Sequence, residues 1–141
     1  MMMSQEELVD TLAGLSLFSN LSRPQVEQVA HKMTEESYPA GQRILRQGFS
    51  GTGFYVIIDG EVAIKIDGEE RARLGKGDFF GEMSILLGEP PVADVVTTRQ
   101  LRVLHLGGPE LEEFLRDYPP VMYRMLKTLA LRLRNASRWR S

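Results

Sequence analysis

Glycines divide the middle of the chain into short segments. Between residues 41 and 88 they recur every few positions and separate runs rich in valine, isoleucine, phenylalanine and tyrosine. This spacing is typical of many short antiparallel strands, which form a sandwich or barrel. The predicted strands are 43–46, 53–58, 61–66, 71–74, 93–98 and 101–106. Asp59-Gly60 and Asp67-Gly68 predict tight hairpins, because both central residues of the favoured two-residue turn have positive φ.

Helical patterns precede this region. Residues 6–18 are weakly helical, with leucines on one side. In the next helix Ser22 and Gln25 have the spacing of a capping box, and Pro24 lies in the first turn, where it is tolerated. The stripe of a helix with one buried face then follows: Val26, Val29, Ala30 and Met33.

Helical patterns also follow it. Pro109 suits the first turn of a helix with a short apolar face, and Tyr118-Pro119-Pro120 ends that helix. A final helix, about 120–138, carries a coiled-coil-like stripe made of Met122, Leu126, Leu129 and Leu133. We expect this stripe to form a homodimer, with Met125 at its margin. The alternative is that the stripe packs back on the chain's own sheet.

The predicted fold is mainly β with flanking helices. We expect a double-stranded β-helix, or jelly-roll β-roll, with N-terminal helices and a C-terminal helix pair. A chain of 141 residues is long enough to bury the core of one domain, 1–141. Its predicted parts are helices at about 6–33, a β-roll at about 37–106 and helices at about 109–138.

Composition limits the function classes. The absence of cysteine excludes disulfides, thiolate catalysis and cysteine-ligated metals, and it fits a reducing, cytoplasmic location. No apolar run is long enough to span a membrane, and the acidic N-terminus is unlike a secretory signal. His31 and His105 have no ligand-type residue at metal-binding spacing, so we expect no metal. The serines match no nucleophile motif, so the chain is not expected to be an enzyme.

Charge is distributed unevenly. Residues 1–120 hold 11 Lys and Arg against 19 Asp and Glu, whereas residues 121–141 hold six basic residues and no acid. Such a segment is consistent with contact to nucleic acid or a membrane surface, or with the solvated face of a terminal helix. Because the rest of the chain is acidic, we favour the solvated face.

Two motifs resemble the signatures of the cyclic nucleotide-binding domain family. The run ILRQGFSGTGFYVIIDGEV is similar to the first signature, through Gly48, Gly51, the apolar residues 54–57 and Gly60. The run FGEMSILLGEPPVADVVT resembles the second, the phosphate-binding cassette, and it matches at Phe80, Gly81, Glu82, Ser84, Ile85, Ala93 and Val95. The resemblance covers about 11–138 and implies a regulatory module of the catabolite activator protein type, with cAMP or cGMP as candidate ligand.

The resemblance also implies a ligand site. Its expected residues are Phe80, Gly81, Glu82, Met83, Ser84, Pro91, Val92 and Ala93. Gly81 would let the backbone approach the ligand, and Glu82 would accept a hydrogen bond from a ribose hydroxyl, as its counterpart does in the family. A short helix is expected from about Glu82 to Leu87.

The phosphate clamp departs from the family pattern. Pro91 stands at the position of the arginine that normally binds the cyclic phosphate, and Val92 stands at the following small or hydroxyl position. Arg99 and Arg102 lie further along, so no nearby arginine is expected to replace it. Asp94 is expected on the same side as Val92, where it would add negative potential to the pocket.

These observations lead to two functional hypotheses. The first is a non-enzymatic ligand-sensing module with weak or altered affinity for cyclic nucleotides and no cofactor. The second is a degenerate module that binds no nucleotide and serves as a dimerisation or protein-interaction scaffold. The chain stops directly after its last helix and has no room for a helix-turn-helix. We therefore expect no sequence-specific DNA binding by this chain, and an output through another protein or a longer parent chain.

Overall fold

The computed structural model describes residues 3–49 and 53–137. Five α-helices are present in this part: α1 Gln5–Ala13, α2 Arg23–Lys32, α3 Glu82–Leu87, α4 Leu111–Asp117 and α5 Pro119–Ser137. Short 3₁₀ turns at Ser16–Phe18 and Gly108–Glu110 precede α2 and α4. None of the described helices is long and apolar enough to cross a bilayer.

Eight strands are present in the same part of the chain. They are β1 Thr34–Tyr38, β2 Arg43–Leu45, β3 Gly53–Asp59, β4 Val62–Ile66, β5 Glu69–Leu74, β6 Phe79–Phe80, β7 Asp94–Thr97 and β8 Leu101–Gly107. They form two antiparallel four-stranded sheets, ordered β1-β8-β3-β6 and β2-β7-β4-β5. The expected fold class, a jelly-roll β-roll with flanking helices, is confirmed.

Strand β3 explains how the two hydrophobic cores arise. Its side chains alternate, so Phe54 and Val56 enter a core shared with the helices, while Tyr55 and Ile57 enter the core between the sheets. Both faces of β3 are therefore covered, which accounts for its nearly continuous apolar sequence. Helices α1, α2, α4 and α5 cover one sheet, and the second sheet closes the roll.

Local signals predicted the start of α2 correctly. Ser22 and Gln25 form the capping box of α2, and Pro24 lies in its first turn. The predicted stripe from Val26 to Met33 is buried. Strands β1 and β6 were not predicted, because β1 is a polar run without apolar alternation and β6 is only two residues long.

One of the two predicted hairpins is wrong. Asp67 and Gly68 both have positive φ and connect the paired strands β4 and β5, as expected. Asp59-Gly60 instead joins β3 to β4, which belong to different sheets, and of this pair only Gly60 has positive φ. The chain needs a glycine there because a Cβ on Gly60 would collide with the backbone of Gln100.

Candidate functional site

The turn before α3 is held against β3 by a glycine contact. Gly81 is the N-cap of α3 and has φ +92°, a conformation that glycine adopts without strain. A Cβ at this position would overlap the carbonyl oxygen of Gly53 in β3. Gly81 therefore sets the distance between the cassette and the sheet, and it places Glu82 at the start of α3.

Glu82 is a buried carboxylate with an unusual environment. Its side chain is 6% exposed, and its Oε1 accepts no hydrogen bond from the described residues. Nη1 of Arg132, on α5, lies 3.6 Å from that atom. Burial raises the pKa of Glu82, while Arg132 and the backbone N–H groups of Glu82 and Met83 act in the opposite direction. The result is a hydrogen-bond acceptor that is desolvated and incompletely satisfied.

Arg132 joins the last helix to the cassette. Its Nη2 donates a 2.9 Å hydrogen bond to the carbonyl oxygen of Phe79, and its guanidinium stacks on the Phe79 ring at 4.5 Å. With the Glu82 contact, these interactions hold the C-terminal part of α5 against the strand and helix that form the site. Sequence reasoning missed Arg132, because only the docking of α5 brings it to the cassette.

Pro91 and Val92 supply neither a charge nor a side-chain donor. Pro91 is buried, and its carbonyl oxygen accepts a 2.9 Å hydrogen bond from the N–H of Gly48. Val92 is 47% exposed. Proline also lacks a backbone N–H, so the main chain cannot donate at this position.

All eight residues that the sequence predicted for the ligand site line a single cleft of about 950 Å³. Apolar side chains from the second sheet form much of the wall; among them are Leu45, Ile64, Ile66, Ala72, Leu74 and Val95. A volume of this size matches the upper range of small-ligand sites. That these residues bind a ligand stays a prediction.

The structure places two arginines at the cleft that the sequence did not bring to the cassette, while the expectation that none replaces the missing phosphate contact stays a prediction. Arg71 of β5 and Arg132 of α5 both line the cleft. Both lie far from the cassette in the sequence, and strand pairing and helix docking bring them to it. Neither stands where the family's cassette places its arginine, at Pro91.

Asp94 is also placed differently from the prediction. Its Oδ1 accepts a 2.7 Å hydrogen bond from the N–H of Gln47, and its Oδ2 lies 3.8 Å from Nε of Arg43. It borders a separate groove, not the cleft. The alternation argument failed because β7 begins at Asp94, so Val92 and Asp94 do not belong to one extended strand.

A family comparison agrees with this geometry. The model of the cyclic nucleotide-binding domain matches residues 35–118, which include the β-roll, α3 and the cleft residues on the cassette. The chain belongs to the cyclic nucleotide-binding domain family. The resemblance inferred from the two signatures is thereby confirmed, and the departures at Pro91 and Val92 are departures within that family.

Relatives of this cyclic nucleotide-binding domain include much longer proteins. A cGMP-dependent protein kinase of Caenorhabditis elegans is 36% identical over 127 residues, which cover 79% of this chain and 16% of the kinase. The chain also covers only 31% of the type II regulatory subunit of the cAMP-dependent protein kinase of Drosophila melanogaster, at 31% identity. The chain thus spans less than a third of the length of these relatives.

Solved structures share the fold of this domain. The catabolite activator protein of Thermus thermophilus has a TM-score of 0.76 and 32% identity, covering 86% of this chain and 59% of that protein. The regulatory subunit of a cAMP-independent protein kinase A from Trypanosoma brucei has a TM-score of 0.75 and 28% identity, covering 88% and 46%. A triple variant of the latter, in which a threonine becomes arginine, is bound to cAMP in its A site.

The predicted stripe on α5 divides into exposed and packed residues. Met122, Leu126 and Leu133 are 45%, 63% and 69% exposed, whereas Leu129 packs partly against the core. Met125, which was expected at the margin of a dimer face, is instead buried in the chain's own core at 2% exposure. Met125 faces the interior of the protein, on the side of α5 that is turned away from solvent. Position 138, the end of the predicted helix, lies outside the described residues.

The basic segment is partly tied to the protein. Nε of Arg124 donates a 2.7 Å hydrogen bond to Asn20, and Arg132 is held as described above. Lys127 and Arg134 are exposed, and Arg138 and Arg140 lie outside the described residues.

The two histidines are placed in different environments. His31 is exposed on α2, whereas Nδ1 of His105 lies 3.5 Å from Oε2 of Glu36 across the β1–β8 pair. Within residues 3–49 and 53–137, no cluster of three or more His, Cys, Asp or Glu is arranged to hold a metal ion.

Proposed function

We propose that this chain is a non-enzymatic regulatory module that senses a small ligand through Glu82 and holds cyclic nucleotides only weakly. The observation that carries the proposal is the buried carboxylate of Glu82, which lines the cleft and whose Oε1 accepts no hydrogen bond from the described residues. A buried acceptor that lacks a donor is costly, so a ligand hydroxyl that donates to it restores a missing hydrogen bond.

Weak affinity follows from the missing clamp. Hydrogen bonds to charged groups contribute about 1.5–3 kcal/mol each. Loss of the arginine and hydroxyl contacts therefore costs roughly 3–6 kcal/mol, or about two to four powers of ten in affinity. The T. brucei protein offers a parallel, since its kinase is cAMP-independent and the variant that holds cAMP has gained an arginine.

Ligand sensing would be transmitted to α5 through Arg132. A hydroxyl that donates to Oε1 of Glu82 competes with Nη1 of Arg132 for the same atom. Ligand binding in the cleft would then be coupled to the position of the last turns of α5. A ligand shifts the equilibrium between two positions of the helix by the difference in its affinity for the two conformations.

A homodimer through α5 is a second candidate function that a separate observation favours. Met122, Leu126 and Leu133 form an exposed apolar stripe on a helix whose other face is packed. Their heptad-like spacing places uncharged Tyr123 and Ala130 beside the seam, so a parallel pair of helices would not bring like charges together there. This arrangement would serve a sensing module or a scaffold that binds no nucleotide.

Calorimetry tests the sensing proposal. The chain and its Glu82→Gln variant would be titrated with cAMP, cGMP and cyclic dinucleotides, with Glu113→Gln on α4 as an exposed, matched control. We expect dissociation constants near the millimolar range, weakened further in Glu82→Gln and unchanged in Glu113→Gln. Submicromolar binding of cAMP by the unmodified chain would contradict weak affinity. Binding of any nucleotide that is insensitive to Glu82→Gln would contradict the role of Glu82.

A further inference from the structure

A second groove lies on the outer face of the sheet formed by β2, β7, β4 and β5. Along β4, Ile64 and Ile66 line the cleft, whereas Lys65 between them lines this groove. Successive side chains of a strand point to opposite faces, so the groove and the cleft lie on opposite sides of the sheet. We call it the outer groove. Its volume is about 620 Å³, which is within the range of small-ligand sites.

Basic side chains dominate the charge of the outer groove. Its lining includes Arg43 of β2, Arg46 directly after that strand, Lys65 of β4 and the carboxylate of Asp94. Residues 1–120 carry more acidic than basic residues, so three cations beside one carboxylate depart from the charge of the surrounding domain. A concave surface with one prevailing sign of charge attracts ligands of the opposite sign.

The nearby carboxylates do not cancel these cations. Oδ1 of Asp94 accepts the hydrogen bond from the N–H of Gln47, and its Oδ2 lies 3.8 Å from Nε of Arg43. Glu70 is opposite Lys65 across the β4–β5 pair, but it accepts two hydrogen bonds from Arg73, at 3.0 and 3.1 Å. The outer groove therefore keeps a net positive charge.

The two arginines of the groove can donate to a ligand. The guanidinium carbon of Arg46 lies 4.2 Å from the centre of the Phe49 ring. Stacking on a ring face leaves the N–H groups at the guanidinium edge available, and these match the oxygens of a phosphate in pairs. Arg43 is about half exposed and meets Asp94 only at 3.8 Å, so turning it towards a ligand costs little.

The spacing of the cations indicates the size of the ligand. Strand β7 lies between β2, which carries Arg43, and β4, which carries Lys65. Neighbouring strands are about 4.8 Å apart, so the main chains that carry these two side chains are about 10 Å apart. One phosphate group engages only part of such a site, whereas two linked phosphates reach both sides of β7.

We propose that the outer groove binds a ligand that carries two or more phosphate groups, held by Arg43, Arg46 and Lys65. The inference goes beyond the proposed function, because it concerns the opposite face of the sheet and does not depend on Glu82 or the cleft.

Inorganic pyrophosphate and inorganic phosphate are the probes that test it. Calorimetric titrations at low ionic strength would use the unmodified chain, Arg46→Gln, Lys65→Gln and the double variant. Arg116→Gln and Lys76→Gln are matched controls, since each removes one positive charge at an exposed position outside the groove. Circular dichroism of each variant checks that the fold is retained.

We expect the unmodified chain and both controls to bind pyrophosphate about tenfold more tightly than phosphate, because a second phosphate adds at least one charge-assisted hydrogen bond. Arg46→Gln and Lys65→Gln should each weaken pyrophosphate binding about fivefold, and the double variant about 25-fold if the two contributions are independent. Added salt should weaken binding, because the site is exposed.

Asp94→Asn separates an anion site from a set of structural ion pairs. The asparagine keeps a side-chain oxygen for the N–H of Gln47 but removes the negative charge from the groove. Pyrophosphate should then bind about fivefold more tightly. Weaker binding in Asp94→Asn would contradict the proposal.

Amide chemical shifts locate the bound pyrophosphate. We expect changes at Gly41, Gly68 and Val96, which line the outer groove, and not at Met83 or Ser84, which line the cleft. Shifts confined to the cleft, or a loss of affinity in the controls equal to that in Lys65→Gln, would overturn the inference. The proposed function would stand in either case, because its own test is the Glu82→Gln titration.

The source of the phosphates is a separate arm of the experiment. Sedimentation with phosphatidylcholine vesicles, with and without phosphatidylinositol bisphosphate, distinguishes a lipid headgroup from a soluble compound. Sedimentation that the double variant abolishes supports a headgroup, and pyrophosphate binding without sedimentation supports a soluble ligand. If the unmodified chain binds neither pyrophosphate nor the vesicles, the inference is wrong.

Discussion

The carbonyl oxygen of Gly53 occupies the place that a Cβ on Gly81 would need. Strand β3 and the cassette turn are therefore in direct backbone contact, and the cleft depends on a residue without a side chain. Gly88, at the other end of α3, also has positive φ (+67°) but has open space around it. A comparison of substitutions at the two glycines therefore separates the free-energy cost of the left-handed backbone conformation from the cost of a close contact.

Replacing each glycine by alanine should reveal that difference. Gly88→Ala should lower the free energy of unfolding by about 1 kcal/mol, because alanine is strained in the left-handed conformation. Gly81→Ala has the same backbone strain and must also displace β3 or the turn, so it should lower the free energy of unfolding by about 3 kcal/mol. Urea unfolding measures both values. Equal losses would mean that the Gly53 contact does not constrain the turn.

Stability should depend on pH through Glu82. Burial raises the pKa of this carboxyl, so the folded chain binds its proton more tightly than the unfolded chain does. Its stabilising contribution is complete below the ordinary pKa of a glutamate and is lost as the pH rises through the folded-state pKa. Glu82→Gln cannot titrate, so its stability relative to the unmodified chain should increase as the pH rises above about 4, the ordinary pKa of a glutamate.

Thermal unfolding of both proteins across that pH range measures the trend. Glu113→Gln, an exposed change, controls for the loss of one negative charge and should show no such increase. A relative stability of Glu82→Gln that falls with rising pH would show that the folded-state pKa lies below the ordinary value.

Removing Arg132 should loosen the last turns of α5. Arg132→Ala deletes the hydrogen bond to Phe79, the stacking on its ring and the Glu82 contact. We expect amide hydrogens near the end of α5 to exchange about tenfold faster, as expected for a loss of about 1.4 kcal/mol in local opening free energy. Arg134→Ala, an exposed arginine two residues further on, is the control. Unchanged exchange in Arg132→Ala would rule out its role in holding the helix.

Restoring the clamp should raise nucleotide affinity. Pro91→Arg with Val92→Thr supplies a cation and a hydroxyl where the family's cassette has them, and we expect cAMP to bind about two to four powers of ten more tightly. Pro90→Arg with Val92→Thr adds the same charge at an exposed neighbouring position and should gain far less. Calorimetry measures all three proteins. Equal gains in both variants would point to general electrostatic attraction and not to a clamp.

Breaking the apolar stripe should abolish self-association. Leu126→Glu with Leu133→Glu places carboxylates in the seam of the proposed dimer, whereas Leu131→Glu changes an exposed leucine outside the stripe. Light scattering should report a dimer for the unmodified chain and for Leu131→Glu, and a monomer for the double variant. A chain that stays monomeric at high concentration would contradict the dimer.

Local sequence signals determined the helix starts and one of the hairpin turns of this protein. Ser22 and Gln25 mark the start of α2, Asp67-Gly68 makes the β4–β5 hairpin, and Gly81-Glu82 opens α3, because capping and turn chemistry act over a few residues. The second signature was sufficient to place eight residues on one cleft for the same reason, since all eight lie in one contiguous segment.

Long-range packing decided the rest. Asp59-Gly60 crosses between sheets, Asp94 starts a strand that turns it away from the cleft, and Met125 faces the core. Arg71 reaches the cleft through a bulge, and Arg132 reaches it through the docking of α5. Register, bulges and helix docking depend on which distant surfaces bury their apolar area together, and no local pattern carries that information. The glycines and caps therefore specify the elements, while tertiary packing selects the charged side chains that line the cleft.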